Sequence, residues 1–441
     1  NQVVDIIKVE RSKTKRGVFV VTSALANITN LLLESAQGNT TKFMSEIEKR
    51  HTEVLEGFRV AIQSQFRPLL QKHFLQLRKE LGHEDKSENC VSKEYLDLIA
   101  SFGERMASLL LTAALLNKNI NATRIDSRDI VETDSNFGNA EVDLLSTRRN
   151  FIEKIQPLLR KGIIPVMTGF IGKDTEGKTT TLGRGGSDYS AALAGLMLNA
   201  KEIQIWKDVP GFMTADPRVV KNAKMIPRLS FSEAAELAYF GAKLLHPKTI
   251  RPAIQKNIPV RILNTFQPED LGTLIYGKLS GRSSRSASFS RKPCAAIRAI
   301  SYKKSVTVIN IISLRMLGPY GFLERLFAIF SHHRVPIDVI ATSEVSVSVT
   351  VEDSAMTKAL IMDLKKIGVV EIHKSHAIIS IVGAGLKNDP TAIATILEVL
   401  RKKQIPTEMI SLGASSINFT CIIEEKHCIN AVNALHSKFF S

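Results

Sequence analysis

Thr179-Thr180-Thr181-Leu182-Gly183-Arg184-Gly185-Gly186-Ser187-Asp188 is the most informative stretch of the chain. Three glycines within the four residues 183–186 let the backbone approach a ligand closely and aim several N–H groups at one point. A helix beginning at Ser187 adds the positive end of its dipole, which favours phosphate or carboxylate. Arg184, inside the glycine loop, offers a planar fork matched to a carboxylate. A plain glycine turn with a Ser/Asp cap accounts for the glycines alone, but the whole string is far more specific.

Around this loop, strands alternate with helices. Residues 17–23, GVFVVTS, are apolar and β-branched, as a strand buried on both faces should be. Residues 40–117 read as helices throughout, with a polar surface loop at 83–89. Then come a strand at 122–125, a helix at 141–158, a strand at 163–168, the helix after Ser187 and a strand at 202–206. Helices at 231–239 and 247–255 precede strands at 260–263 and 272–275. This alternation predicts an α/β fold, a mainly parallel sheet sandwiched by helices, which binds ligands at the carboxyl ends of its strands.

Residues 278–293, KLSGRSSRSASFSRKP, carry no apolar periodicity and read as a linker. Two short units of similar grammar follow. The first has a strand at 295–312, a helix at 321–332, strands at 337–342 and 345–351, and a helix at 354–365. The second has a strand at 377–382, a helix at 389–403, strands at 407–411 and 418–423, and a helix at 426–439. Both fit a ferredoxin-like βαββαβ repeat. The expected domains are residues 1–277, a linker at 278–293, and units at 294–376 and 377–441.

Composition narrows the class. With 441 residues, 44% hydrophobic and 23% charged, the chain is an ordinary globular one of several domains. No apolar run approaches the ~20 residues of a membrane span, and residues 1–10 lack the apolar core of a signal peptide. Cys90, Cys294, Cys421 and Cys428 lie far apart without metal-ligand spacing, which predicts free, buried thiols in a cytoplasmic protein. The net charge of +16 is concentrated in places such as residues 11–16 and 282–292. No aromatic-interleaved platform or nucleic-acid module accompanies it, so the excess is assigned to solvated surface and attraction for anionic ligands.

Other strings recur with the loop in a recognisable order. They are Val20-Val21-Thr22-Ser23 followed by Asn27-Ile28-Thr29-Asn30, then Phe102-Gly103-Glu104-Arg105-Met106 and Thr168-Gly169-Phe170-Ile171-Gly172. Further on come Trp206-Lys207-Asp208-Val209-Pro210-Gly211, Thr214-Ala215-Asp216-Pro217-Arg218 and Phe240-Gly241-Ala242-Lys243-Leu244-Leu245-His246-Pro247. Together they resemble the aspartate kinases of the amino-acid kinase superfamily, from about residue 18 to the C-terminus. Within that family the chain is most similar to the lysine-sensitive monofunctional form, whose tail holds tandem ACT domains.

The resemblance implies transfer of the γ-phosphate of ATP, with Mg²⁺, to the β-carboxylate of L-aspartate. The product is 4-phospho-L-aspartate, in the first step of the route to lysine, threonine and methionine. It places Thr29, Glu104 and Arg184 on aspartate, Arg184 at the α-carboxylate and Glu104 at the ammonium group. Ser23 and Asp188 fall beside the reacting groups, Asp188 ordering the Mg²⁺–phosphate assembly. Lys207, Asp208, Met213, Arg218 and Lys243 match nucleotide positions, while His246 reads as structural. A carboxylate is already a nucleophile at neutral pH, so phosphoryl transfer here needs positioning and charge neutralisation rather than a strong base. No protein metal site is expected.

For the tail, the resemblance implies an L-lysine effector site built from Met316, Gly321, Phe322, Leu323, Ile337, Asp338, Ser343 and Glu344. Residues 411–416 are expected to complete the interface of a homodimer formed through the ACT domains, with a tetramer also open. The family's opening strand ends in Lys-Phe-Gly-Gly, and this sequence begins downstream of it. The lysine that neutralises the γ-phosphate is then missing, so the chain is expected to bind its ligands but turn over poorly. Two alternatives fit part of the pattern: a kinase for another acid such as glutamate, and a non-catalytic amino-acid sensor with a degenerate kinase body.

Overall fold

The computed structural model describes residues 2–14, 17–38, 40–82, 91–240, 244–245, 247–277, 297–316, 320–384, 386, 389–412 and 417–440. In chain order, α1 (Gln2–Lys13) leads to β1 (Val20–Thr22), and four helices follow: α2 (Ile28–Ala36), α3 (Thr40–Glu56), α4 (Val60–Gly82) and α5 (Lys93–Asn117). Next are β2 (Ala122–Ile125), α6 (Leu144–Asn150), α7 (Gln156–Arg160), β3 (Ile164–Thr168), the hairpin β4 (Ile171–Lys173) and β5 (Thr179–Thr181), α8 (Gly186–Leu198) and β6 (Ile203–Lys207). Then come β7 (Arg228–Ser230), α9 (Phe231–Phe240), α10 (Arg251–Gln255), β8 (Val260–Asn264) and β9 (Thr273–Tyr276).

Residues 1–210 and 245–277 form one compact unit, and residues 211–244 pack with 278–441 in a second. In the first, β3 lies between β1 and β2 and runs parallel to both, while β6 runs parallel to β8 and β9 closes antiparallel on β8. Every residue of β3 (IPVMT) is buried, as its unbroken apolar character requires for a strand covered on both faces. The predicted helix at 141–158 is present but interrupted. Asp143 caps its start by accepting from the amides of Leu145 and Ser146, and a π turn at Phe151–Ile155 separates α6 from α7.

One expectation needs correction. α5 is long and apolar enough, by length and composition, to cross a membrane. Yet 83% of its apolar window is buried within the molecule, and it also buries Asp97, Glu104 and Arg105. It packs with α2, α3 and α4 in one apolar cluster, so its character is that of a core helix.

The second unit continues with β10 (Ala299–Ile312), α11 (Phe322–His332), β11 (Ile340–Thr342), β12 (Ser346–Glu352), α12 (Lys358–Lys365), β13 (Val369–Val382), α13 (Pro390–Lys402), β14 (Met409–Ser411), β15 (Asn418–Glu424) and α14 (Cys428–Phe440). The strands β10 to β15 form one sheet in the order β11-β12-β10-β13-β15-β14. β10 and β13 are each used twice: Ala299–Lys303 pair with residues 378–382, whereas residues 308–312 pair with 369–373. The position expected to divide the units, between 376 and 377, therefore falls inside a continuous strand. The first ferredoxin-like unit gains its closing strand from residues 369–373, which the sequence reading left unassigned. Cys421 and Cys428 are free and buried, and Cys90 and Cys294 lie outside the described residues.

Candidate active site

Ser23, Thr29, Glu104, Arg184, Asp188, Lys207 and Asp208 all line one cleft of about 650 Å³ in the first unit. The carboxyl end of β1 delivers Ser23, the end of β6 delivers Lys207 and Asp208, and the start of α8 delivers Asp188. The glycine loop takes the form its composition demands: Gly183 and Gly185 have φ of 76° and 71°, a region costly for any side chain. Gly185 is also the N-cap of α8. Arg184 is exposed, and among the described residues no acid pairs with its guanidinium.

Glu104 is placed by its neighbour. A Cβ on Gly103 would come within 2.7 Å of the Ala24 Cβ, so only glycine lets α5 lie this close to the turn after β1. The Ala24 amide then donates to Glu104 Oε1 at 3.2 Å. Glu104 is only 3% exposed, and its Oε2 has no hydrogen-bond partner among the described residues. Burial raises its pKa to about 7, against the smaller pull of the Ala24 amide. A buried acid oxygen without a donor, opening on a cleft, is suited to an ammonium group.

Lys207 and Asp188 form an ion pair at 3.0 Å, with side chains 25% and 21% exposed. Sequence reasoning missed several contributors. Phe170 lines the cleft in a left-handed conformation, φ 68°, held by its own amide donating to Ser190 Oγ at 3.0 Å and by the Leu182 amide donating to its carbonyl at 2.8 Å. Gly138 and Trp206 also line it. Behind the glycine loop, Asp97 is 4% exposed and accepts from the Gly138 amide, the Thr181 amide and the Thr181 hydroxyl at 2.8, 2.8 and 2.6 Å.

Among the described residues, Met213 and Arg218 are not in this cleft's lining. Met213 and Arg218 belong to the second compact unit, and Lys243, like His246, lies outside the described residues. Arg218 closes its fork on Asp216, Nε to Oδ1 at 3.0 Å and Nη2 to Oδ2 at 2.7 Å, which holds the Asp216 carboxyl below its usual range.

In the second unit, Gly321 has φ 89° and is the N-cap of α11, with no side chain capping it. Met316 ends a short 3₁₀ turn, Phe322 is buried, Leu323 is exposed and Ile337 is half-buried. Asp338 is already engaged: Lys303 Nζ lies 2.9 Å from its Oδ2, and the Tyr239 hydroxyl donates to Oδ1 at 2.9 Å. Ser343 Oγ lies 2.7 Å from Ser346 Oγ and accepts from the Ser346 amide, capping its own turn. Glu344 is exposed and pairs with no cation among the described residues. Residues 413–416 lie outside the described residues.

The sequence matches a family model described as the amino acid kinase family over residues 1–264, and one described as an ACT domain over 309–362 and 379–439. Lysine-sensitive aspartokinase 3 of Escherichia coli is 34% identical over 436 residues, covering 96% of this chain and 92% of that one. Chloroplastic aspartokinase 3 of Arabidopsis thaliana is 39% identical over 357 residues, covering 78% of this chain and 61% of that one. Among solved structures, E. coli aspartokinase III with aspartate and ADP in the R-state superposes with a TM-score of 0.84 at 33% identity, covering 100% of this chain and 96% of that one. The same enzyme with lysine and aspartate in the T-state gives 0.77 at 32% identity, covering 99% and 96%.

Proposed function

The chain belongs to the amino acid kinase family and, within it, to the aspartokinases, and from that premise we propose that it phosphorylates the β-carboxylate of L-aspartate with ATP under feedback control by L-lysine. One observation carries the reading. Among the described residues, a buried acid with an unpartnered oxygen, Glu104, and an arginine without an acid partner, Arg184, line the same cleft. An amino acid's ammonium group meets the first and its α-carboxylate the fork of the second, which leaves the side-chain carboxylate to attack phosphate.

Thr29 adds a hydroxyl on the aspartate side, and Ser23 stands at the end of β1 where the transferring group would pass. The start of α8 and the Lys207–Asp188 pair supply positive potential and an acid for the phosphates. Mg²⁺ bound through one or two carboxylates and the phosphates themselves needs no dedicated protein cage. Asp188 and Asp208 fit that demand, and the ion supplies neutralisation of charge on the transferring phosphate.

Lysine control is assigned to the second unit, with the uncapped start of α11 at Gly321 receiving the effector's carboxylate and Glu344 its side-chain ammonium. Asp338 enters this scheme through Lys303 rather than as a free acid. A homodimer through these units in the cytoplasm completes the proposal, in keeping with free, buried Cys421 and Cys428.

ADP release measured with aspartate and with glutamate tests the assignment. Release should depend on aspartate and be nearly absent with glutamate, because displacing the reacting carboxylate by about 1 Å costs on the order of a hundredfold. Equal rates with both acids would remove aspartate as the substrate.

A further inference from the structure

We propose that Asp97 is a positioning residue that fixes the spacing between Glu104 and the Arg184 loop, and so sets selectivity for the length of the amino-acid substrate. The proposal rests on the reading of the cleft as an aspartate site. Asp97 and Glu104 stand seven residues apart on α5, two helical turns, and therefore project from the same side of one rigid element. Asp97 holds Thr181 by both its amide and its hydroxyl. Thr181 ends β5 and runs straight into the loop that carries Arg184. The same carboxylate holds the amide of Gly138, which lines the cleft. One helix thus carries the acid for one end of the substrate and the anchor of the loop for the other end.

The choice of residue follows from donor arithmetic. Three donors converge on two oxygens, and only an ionised carboxylate can accept on both. Asparagine would keep the two amides on its carbonyl oxygen but set an N–H₂ against the Thr181 hydroxyl, which must then reverse to accept, so that charge-assisted bonds give way to weaker neutral ones. Burying the carboxylate raises its pKa, and the Thr181 hydroxyl leads the groups that oppose the rise. Such a clamp has something to resist: a second cavity of about 380 Å³, lined by Lys93, Leu96, Asp97 and residues 136–139, lies on this side of the loop. Without the clamp, residues 136–139 have room to shift, and the Arg184 loop loses its support.

Calorimetry with the full chain tests this, titrating aspartate in the presence of ADP and ADP alone. Asp97→Asn should weaken aspartate binding about tenfold to a hundredfold while ADP binding stays within about twofold, and the preference for aspartate over glutamate should shrink. Thr181→Val, which removes one of the three bonds, should give a smaller shift of the same kind, and Thr181→Ser should restore wild-type affinity. These two variants decide the matter should Asp97→Asn fail to fold. Loss of aspartate and ADP affinity in parallel, or unchanged aspartate affinity and selectivity in folded Asp97→Asn, overturns the role given to Asp97. A wild-type chain that binds no aspartate overturns the reading of the cleft itself, which is a separate outcome.

Discussion

Lys207 and Asp188 meet at 3.0 Å inside the cleft, so the cation and the anion of the phosphate side neutralise each other. With MgATP bound, Asp188 would help hold the metal and Lys207 would meet the charge of the phosphates. Asp188→Asn should lower kcat by on the order of a hundredfold. Aspartate affinity should stay near wild type. Rapid-quench turnover and calorimetry on one preparation check both statements, and an equal loss in the two would dissolve the division of roles.

Arg184→Lys keeps the charge and loses the planar fork. Aspartate binding should weaken by ~1–3 kcal/mol, the scale of a charged hydrogen bond, with ATP binding nearly intact. Competitive displacement of a fluorescent nucleotide measures the second quantity independently of the first.

Burial pushes the pKa of the Glu104 carboxyl up to about 7. Below that pH it is protonated and offers the ammonium group no counter-charge, so aspartate affinity should rise between about pH 6 and 8 and then level off. Binding at pH 6 should release a proton, visible as a dependence of the calorimetric heat on buffer. Glu104→Gln should bind weakly with no such pH dependence. The sign for stability is opposite: the folded pKa lies above the unfolded one, so this group's contribution is complete below the unfolded value and is lost as pH rises through 7. Glu104→Gln should accordingly raise Tm at pH 8 more than at pH 5.

Lys303 neutralises an Asp338 side chain that is only 3% exposed. Lys303→Met leaves that carboxylate unpaired, which should cost about 3–5 kcal/mol of stability. If an effector's ammonium can reach Asp338, added lysine should restore Tm further in this variant than in wild type. Glu344→Gln should weaken lysine binding in both backgrounds. Thermal melts with and without lysine give the answer, and an identical lysine response in all proteins removes both acids from the effector site.

Local patterns made the kinase cleft legible. The glycine string announced its own conformation, and the motifs carrying Ser23, Thr29, Glu104, Asp188, Lys207 and Asp208 all contribute to the lining of one cleft. Asp97 escaped because nothing near it in sequence marks it: its partners Gly138 and Thr181 lie 41 and 84 residues away. Phe170 sat in a quoted motif, yet its left-handed backbone depends on Ser190, a tertiary bond that the string does not encode. Residues 211–244 lie within the stretch that the kinase family model matches, 1–264, and their bonds to the C-terminal part were not legible in the motifs: the Ile300 amide donates to the Thr214 carbonyl at 2.8 Å, and the Thr214 hydroxyl lies 2.9 Å from His436. The run around His373, Lys374 and Ser375 is polar and carries no strand pattern, so the sequence did not mark residues 369–376 as part of the sheet. It is instead an irregular stretch of one strand, opposite the register shift between Val306 and Val308.

That shared strand has a consequence on the ribosome. Residues 299–303 leave the exit tunnel long before 378–382, to which they pair, and the intervening chain builds a whole unit in the meantime. At ordinary elongation rates the first half of β10 waits several seconds with an open edge. A nascent chain arrested before residue 377 should be cut by protease near 299–303, and release of the full chain should abolish the cut. Newly made protein is thus exposed to misassociation in the interval between the emergence of residues 299–303 and that of 378–382, when sister chains on one message are crowded together.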